Sequence, residues 1–290
     1  MIPRRASPRR WQVLGTVLIL VLSGVALALG FLRPGHYRDA PYHLAQIFGQ
    51  DVVTLVVGVP LLAVGLVSAR RGSLRGYIVW LGALGYMLYT WASYALMLYF
   101  NEFFLGYVAL FGLSLYVFVG GLVDLDAAAV SERIGDRLPR RLIVAYLLGM
   151  GAFIALGWLA DIVPATLSGG VPEAVRLARV PTSVIYAMDL AILLPAVVLV
   201  ALWLRARRPW GAVFTGVLLV KFATLGLAVM AMEAWLWQTG QGGAAPMIGL
   251  FAFIALVSLG LGVSYLQAIR SGAPNGRAPT PERAGDPPGP

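Results

Sequence analysis

The chain has 290 residues, of which 59% are hydrophobic and only 12% are charged, and its formal net charge is +9. Ordinary soluble domains are about 45–50% apolar and about 25% charged, so this composition excludes a soluble globular protein. Because the chain has no cysteine, disulfides, thiolate metal sites, a cysteine nucleophile and cysteine lipidation are excluded as well.

Apolar stretches of about 20 residues, the length that crosses a bilayer as a helix, recur eight times along the chain. They are residues 12–32, 52–69, 77–99, 103–123, 142–160, 182–204, 211–237 and 246–268. Continuous apolar runs of this length exclude the alternating, shorter strands of a membrane β-barrel. The sequence therefore predicts an all-α, polytopic membrane protein with eight transmembrane helices.

The first span has two interpretations. Four arginines precede it, and Ala26-Leu27-Ala28 resembles a signal-peptidase site, which favours a signal peptide. Its apolar stretch is longer than the 7–15 residues of a typical signal peptide, which favours a retained membrane anchor. We predict the anchor.

The arginines predict the orientation, since cytoplasmic loops carry an excess of positive charge. With the N-terminus inside, 17 of the 21 arginines lie on the inner side, and the outer segments hold only Arg33, Arg38, Arg176 and Arg179. We therefore predict a multi-pass membrane protein with both termini cytoplasmic. The arginines are divided among separate loops and tails, so the lipid bilayer is the predicted partner and nucleic acid is not.

The two halves of the chain share a pattern: an arginine pair, a span, an acid that opens the next span, a proline that interrupts it, and a second arginine pair. The corresponding residues are Arg9-Arg10 with Arg140-Arg141, Asp51 with Asp189, Pro60 with Pro195, and Arg70-Arg71 with Arg207-Arg208. This pattern predicts a 4+4 tandem repeat whose halves have the same orientation. Chance similarity between leucine-rich spans is the alternative.

The repeat gives the predicted domain organisation. A basic cytoplasmic N-terminus (1–11) precedes the first four-helix repeat (12–123). A cytoplasmic linker (124–141) leads to the second four-helix repeat (142–268). The last segment (269–290) is a cytoplasmic tail, predicted to be disordered because it is rich in Pro, Gly and Ala.

Lys221 is the only lysine in the chain, and it lies at the predicted centre of the seventh span. A lysine at mid-bilayer costs about 2.5–3.5 kcal/mol on insertion scales, so it must be paired, neutral or in contact with water. Asp189 lies at a similar depth in the sixth span, which a short turn joins to the seventh. We predict a midplane site in which these two residues pair, or in which both are neutralised.

The third span is predicted to contribute hydroxyl groups to the same site. Its polar residues recur at helical spacing and so share one face; they are Tyr86, Tyr89, Thr90, Ser93 and Tyr94. Tyr86 corresponds in position to Lys221. The predicted ligand-binding residues are Lys221, Asp189, Tyr86, Tyr89 and Ser93.

Acidic and polar residues mark the outer side. We predict an outer vestibule formed by Asp51, Asn101, Glu102 and Glu233. His36 and His43 are expected to be exposed loop residues. No catalytic residue and no metal site are predicted, no cofactor is identified, and no motif indicates an enzyme, since nucleotide-binding and serine-hydrolase motifs are absent.

Two segments carry a resemblance. The stretch Leu88-Tyr89-Thr90-Trp91-Ala92-Ser93-Tyr94-Ala95 with Asn101-Glu102, and the stretch Leu219-Val220-Lys221-Phe222-Ala223-Thr224-Leu225-Gly226, resemble an uncharacterised family of bacterial multi-spanning membrane proteins. The resemblance covers most of the spans but not the tails. It implies a bacterial plasma membrane and carries no activity.

Three functions fit these features. The first is a transporter or channel-like protein for a small polar solute or ion, which would bind at the Lys221–Asp189 site. The second is a cofactor-binding membrane protein in which Lys221 forms a Schiff base. The third is a sensor or structural subunit of a membrane complex. The oligomeric state cannot be predicted from the sequence.

Overall fold

A computed structural model describes residues 7–135 and 138–270 of the chain. These residues are helical apart from turns and one isolated β-bridge, between Ile134 and Ile269. The first five helices are α1 (Arg10–Leu32), α2 (Pro41–Arg70), α3 (Leu74–Met97), α4 (Phe104–Val123) and α5 (Ala127–Arg133). The next five are α6 (Arg140–Ser168), α7 (Glu173–Ala178), α8 (Val184–Arg205), α9 (Pro209–Gln238) and α10 (Ala245–Ala268).

Seven of the described helices are both long enough and apolar enough to cross a membrane: α1, α2, α4, α6, α8, α9 and α10. Seven of the eight predicted spans therefore correspond to helices with the length and composition of a membrane span. The remaining segment, predicted as 77–99, forms α3, which is long enough but less apolar because it carries the hydroxyl-bearing face. Most of its residues are buried by other helices, so α3 lies inside the bundle.

Several helix boundaries differ from the prediction. Helix α2 begins at Pro41, about ten residues before the predicted span, and these additional residues continue directly into it. Helix α6 continues to Ser168, beyond the predicted end at residue 160. The predicted linker contains the short helix α5. Residues 271–290 of the predicted disordered tail (269–290) and residues 1–6 of the predicted basic N-terminus lie outside the described residues, whereas Ile269 pairs with Ile134 in the β-bridge.

Helices α2 and α8 share an uncommon internal feature. Each contains a five-residue π-helical segment, Thr54–Gly58 in α2 and Asp189–Leu193 in α8. A proline follows each segment at the second residue of the next α-helical turn, Pro60 and Pro195. Proline has no N–H and its ring crowds the preceding turn, and a widened turn accommodates it. This correspondence pairs Thr54 with Asp189, whereas the sequence pattern paired Asp51 with Asp189.

Helices α3 and α9 pack against each other at the centre of the bundle. A Cβ on Gly82 would lie 2.5 Å from Val220, and a Cβ on Gly85 would lie 3.7 Å from Val217. The sequence offset that relates Pro60 to Pro195 also relates Gly82 to Val217 and Gly85 to Val220. The contact between Gly82 and Val220 in one direction therefore corresponds to the contact between Val217 and Gly85 in the other. The small residues allow the two helices to approach closely, as is typical of membrane helices.

The two ends of the bundle differ in charge. At the end that we call the arginine end, Arg9 contacts Asp124, and Arg75 donates to the Ile269 carbonyl at 2.6 Å. The turns that follow α2 and α8 also lie here and have the same backbone conformation, with φ of 79° at Gly72 and 55° at Arg207. We call the opposite end, which holds the α3–α4 turn and α7, the Glu102 end.

Candidate functional site

A cavity of about 410 Å³ lies between the two halves of the bundle, toward the Glu102 end. Helices α2, α3, α6, α7, α8, α9 and α10 all contribute to its wall, which is mostly aliphatic and aromatic. Polar or ionisable side chains interrupt this wall at several points, among them His43, Gln50, Tyr89, Ser93, Asp189 and Glu233. The structure therefore brings three of the predicted ligand-binding residues, Tyr89, Ser93 and Asp189, to one space.

Asp189 is the acid held deepest in the cavity wall, with 4% of its surface exposed. Its Oδ1 accepts a hydrogen bond of 2.8 Å from the Tyr89 hydroxyl, and its Oδ2 accepts one of 2.8 Å from the Trp158 indole. Each carboxylate oxygen is thus held by a donor from a different helix, α3 and α6. Trp158 is not among the predicted site residues, because its only signal in the sequence is a position in an otherwise apolar span.

Lys221 is buried close to Asp189, with 6% of its surface exposed, but the expected direct ion pair is not formed. None of the salt bridges among the described residues includes Lys221. Its Nζ lies 3.5 Å from the centroid of the Tyr89 ring and 5.9 Å from that of Tyr86. Tyr89 therefore bridges the two charged groups: its ring face receives the ammonium, a favourable cation–π contact, and its hydroxyl binds the carboxylate.

Tyr86 belongs to a separate hydrogen-bond network with α2. Its hydroxyl lies 2.8 Å from Thr54 Oγ1 and accepts a bond of 2.7 Å from Gln50 Nε2. Gln50 also reaches Thr90 Oγ1, at 3.2 Å. The predicted hydroxyl face of α3 is thus divided between two partners, because Tyr89 and Ser93 turn toward the cavity. Gln50 is not among the predicted site residues; its signal in the sequence is its position beside Asp51 at the start of a predicted span.

The Thr54–Tyr86 hydrogen bond in the first half corresponds in position to Asp189 and Lys221 in the second half. The first half thus has two neutral hydroxyl groups where the second has a carboxylate and an ammonium. This difference makes the second half the charged side of the site.

Asp51 does not lie in an open vestibule as predicted. It is 1% exposed, and its two oxygens accept bonds of 2.7 Å each from the hydroxyls of Tyr37 and Tyr94. The reason is that α2 begins early, which places Asp51 more than two turns inside the helix.

The other predicted vestibule residues are dispersed. Asn101 is 1% exposed and accepts a bond from the Phe103 amide at 3.0 Å. Glu102 is partly exposed and forms a salt bridge of 2.7 Å with Arg33. Glu233 lines the cavity. The prediction of a common vestibule for these residues and Asp51 is therefore wrong.

Both histidines are buried, which corrects the expectation that they are exposed. His36 lies between Glu102, at 3.2 Å from Nδ1, and the Tyr107 hydroxyl, at 3.0 Å from Nε2. His43 Nδ1 lies 2.9 Å from an oxygen of Asp39. Each histidine is buried because an acid nearby compensates its polar ring.

Comparisons with known proteins find no relative: no protein-family model, no curated protein and no solved structure matches the chain. Within residues 7–135 and 138–270, no three histidine or acidic side chains are grouped so that they could hold a metal ion. The functional interpretation therefore depends on the cavity and on the chemistry of its wall.

Proposed function

We propose that the protein is a membrane transporter that binds a small amphipathic organic cation in the cavity beside Asp189. Small-molecule sites are typically concave, mostly apolar spaces of about 300–1,000 Å³ with a few polar groups. The cavity, at about 410 Å³ with Asp189 in its wall, has these properties. Ionisable residues buried in a membrane protein commonly mark a ligand or ion pathway.

The sign of the ligand charge follows from one observation: Asp189 lines the cavity, whereas Lys221 does not. The ring of Tyr89 covers the ammonium, so a solute meets carboxylates, Asp189 and Glu233, without meeting the lysine. Aromatic side chains beside an acid favour a cation through their electron-rich faces. The sequence predicted a polar solute or ion held by Lys221 and Asp189 together, whereas the geometry favours binding by Asp189 without Lys221.

The same observation disfavours the Schiff-base alternative. An aldehyde in the cavity would have to displace the Tyr89 ring before its carbonyl carbon met the Lys221 nitrogen. We therefore expect purified protein to remain colourless when retinal is added, and a stable red-shifted absorbance would contradict this expectation.

Transport, rather than static binding, is supported by the correspondence between the halves. Matched π segments and prolines in α2 and α8, and exchangeable glycine–valine contacts between α3 and α9, favour a 4+4 duplication. Transporters built from such repeats bind their solutes at the interface of the halves and rock one half against the other. The proposal includes cytoplasmic termini and a bacterial plasma membrane, in agreement with the arginine distribution and the family resemblance.

The test uses tetraphenylphosphonium, a lipophilic monocation, with purified protein in lipid nanodiscs. We expect the wild type to bind this cation. Asp189→Asn should lose at least about tenfold in affinity, equal to about 1.4 kcal/mol, whereas the matched control Glu132→Gln should keep the affinity of the wild type. Glu132 is exposed and lies in α5, outside the cavity wall. Equal affinity for wild type and Asp189→Asn would refute the site.

A further inference from the structure

A chain of polar side chains connects the surface at the Glu102 end with the interior of the first half. It begins at Glu102, whose side chain is 36% exposed and within salt-bridge distance of both Arg33 and Arg38. The pKa of Glu102 is lowered, first by a hydrogen bond from its own backbone and then by His36 and Arg33. Glu102 Oε1 lies 3.2 Å from Nδ1 of the buried His36.

The chain continues inward through hydroxyl groups. His36 Nε2 lies 3.0 Å from the Tyr107 hydroxyl. Tyr107 interacts with the adjoining hydroxyl of Tyr37, and Tyr37 donates to Asp51 Oδ2 at 2.7 Å. Burial, and then the neighbouring Asp51 and Tyr107, raise the pKa of Tyr37, so this tyrosine keeps its proton. A group that accepts one proton while it releases another can relay protons without becoming charged.

Asp51 is the buried acid at the end of this chain, and hydroxyl groups surround it. The titratable groups that face it are Tyr37 from the α1–α2 loop, Tyr94 and Tyr86 from α3, and Tyr107 from α4. From α1 it meets Gly30, which has no side chain; a Cβ there would lie 2.9 Å from Oδ2. None of the salt bridges among the described residues includes Asp51.

A carboxyl group buried among hydroxyls, with no cation paired to it, has little to stabilise a permanent negative charge. Histidine and acidic residues arranged in series inside membrane proteins are typical of proton relays. Tyr94 links Asp51 to the solute cavity, because its hydroxyl donates to Asp51 Oδ1 at 2.7 Å and its side chain lines the cavity wall. Protonation of Asp51 would therefore change the hydrogen bonding of a residue that the solute touches.

We propose that Asp51 is a proton-binding site, reached from the Glu102 end through His36, Tyr107 and Tyr37, and that the proton is the ion coupled to solute movement. The coupling rests on the proposed transport function; the proton site does not. In each step one O–H or N–H bond breaks as another forms, so a proton enters at Glu102 and one arrives at Asp51. Its binding and release alter the Asp51–Tyr94 hydrogen bond beside the cavity.

Proton binding is measured first without any solute, by infrared difference spectroscopy of the protein in nanodiscs between about pH 5 and about pH 8. We expect a carbonyl band of a buried, protonated carboxyl group that changes with pH in the wild type. This band should be lost in Asp51→Asn and shifted in Tyr94→Phe, which removes one hydrogen bond from the carboxyl group. Glu132→Gln and Tyr116→Phe are the matched controls and should leave the band unchanged, since both side chains are exposed and distant from Asp51.

Coupling is measured in proteoliposomes as tetraphenylphosphonium movement driven by an imposed pH gradient. We expect Asp51→Asn to bind this cation but to lose the movement driven by the gradient. If the Asp51 band does not change with pH, the proton site is refuted, even where Asp189-dependent cation binding persists. If the band changes but tetraphenylphosphonium does not bind, the proton site stands and the proposed solute is refuted. Gradient-driven movement that survives in Asp51→Asn would refute the coupling.

Discussion

Replacing Tyr89 with phenylalanine tests the bridge between the two charged residues of the site. The change removes the hydroxyl that donates to Asp189 at 2.8 Å but keeps the ring that receives Lys221 at 3.5 Å. A hydrogen bond to a charged acceptor contributes about 1.5–3 kcal/mol, whereas hydrogen bonds between membrane helices contribute about 0.6 kcal/mol on average and up to about 1.7 kcal/mol. The bond from Tyr89 is buried, and its acceptor is a carboxylate, so a value near the overlap of these two ranges applies. We therefore expect Tyr89→Phe to lower the free energy of unfolding by about 1.5 kcal/mol.

The assay is equilibrium unfolding in mixed lipid–detergent micelles, carried out as a double-mutant cycle. Tyr89→Phe should cost about 1.5 kcal/mol in the wild type and close to zero in an Asp189→Leu background, where the acceptor is absent. Tyr116→Phe is the matched control, since Tyr116 is exposed and no hydrogen bond to its hydroxyl is found among the described residues. Equal effects of Tyr89→Phe in the two backgrounds would refute the bridge.

Three further predictions concern packing, backbone strain and pH. Gly49→Ala should destabilise the protein by about 1–3 kcal/mol, because the added Cβ would lie 2.6 Å from the backbone of α9. Gly149→Ala is the control: its Cβ would have no atom within 4 Å, so it should be neutral or stabilising in the same unfolding assay. Arg207→Gly should stabilise by about 1 kcal/mol, since Arg207 has φ of 55° and glycine adopts this conformation without strain; an unchanged melting temperature would contradict this. Glu102 has a lowered pKa, so its stabilising contribution should be present above its ordinary pKa of 4.5 and lost as the pH falls through its lower folded value. Thermal melts of wild type and Glu102→Gln should therefore differ at neutral pH and converge in acid, and a difference that persists in acid would contradict the assignment.

The sequence was most informative about the membrane-spanning helices. Long apolar runs lead directly to helices in lipid, because only helices and closed barrels satisfy the backbone there. The run at 211–237, for example, forms α9, with ends at Pro209 and Gln238. The start of α2 was less predictable, since 41–50 is too polar to resemble a span and is helical because it packs on α9 and encloses buried side chains.

The residues of the site could be predicted from the sequence, but the contacts among them could not. Lys221, Asp189 and Tyr89 were identified because polar residues at mid-span are costly and therefore uncommon. Their arrangement depends on rotations of three helices, which periodicity does not specify, so the insertion of the Tyr89 ring beside the ammonium could not be foreseen. The buried state of His36 depends on Glu102 and Tyr107, which lie far from it in the sequence.

Solute access to the cavity beside Asp189 can be measured by cysteine accessibility, because the chain has no native cysteine. Ser93 lines the cavity, whereas Ser114 is fully buried and does not. We predict that Ser93→Cys in proteoliposomes reacts with a water-soluble thiol reagent and that tetraphenylphosphonium slows the reaction, while Ser114→Cys does not react. A Ser93→Cys variant that is as unreactive as Ser114→Cys, or that tetraphenylphosphonium does not protect, would contradict solute binding in the cavity beside Asp189.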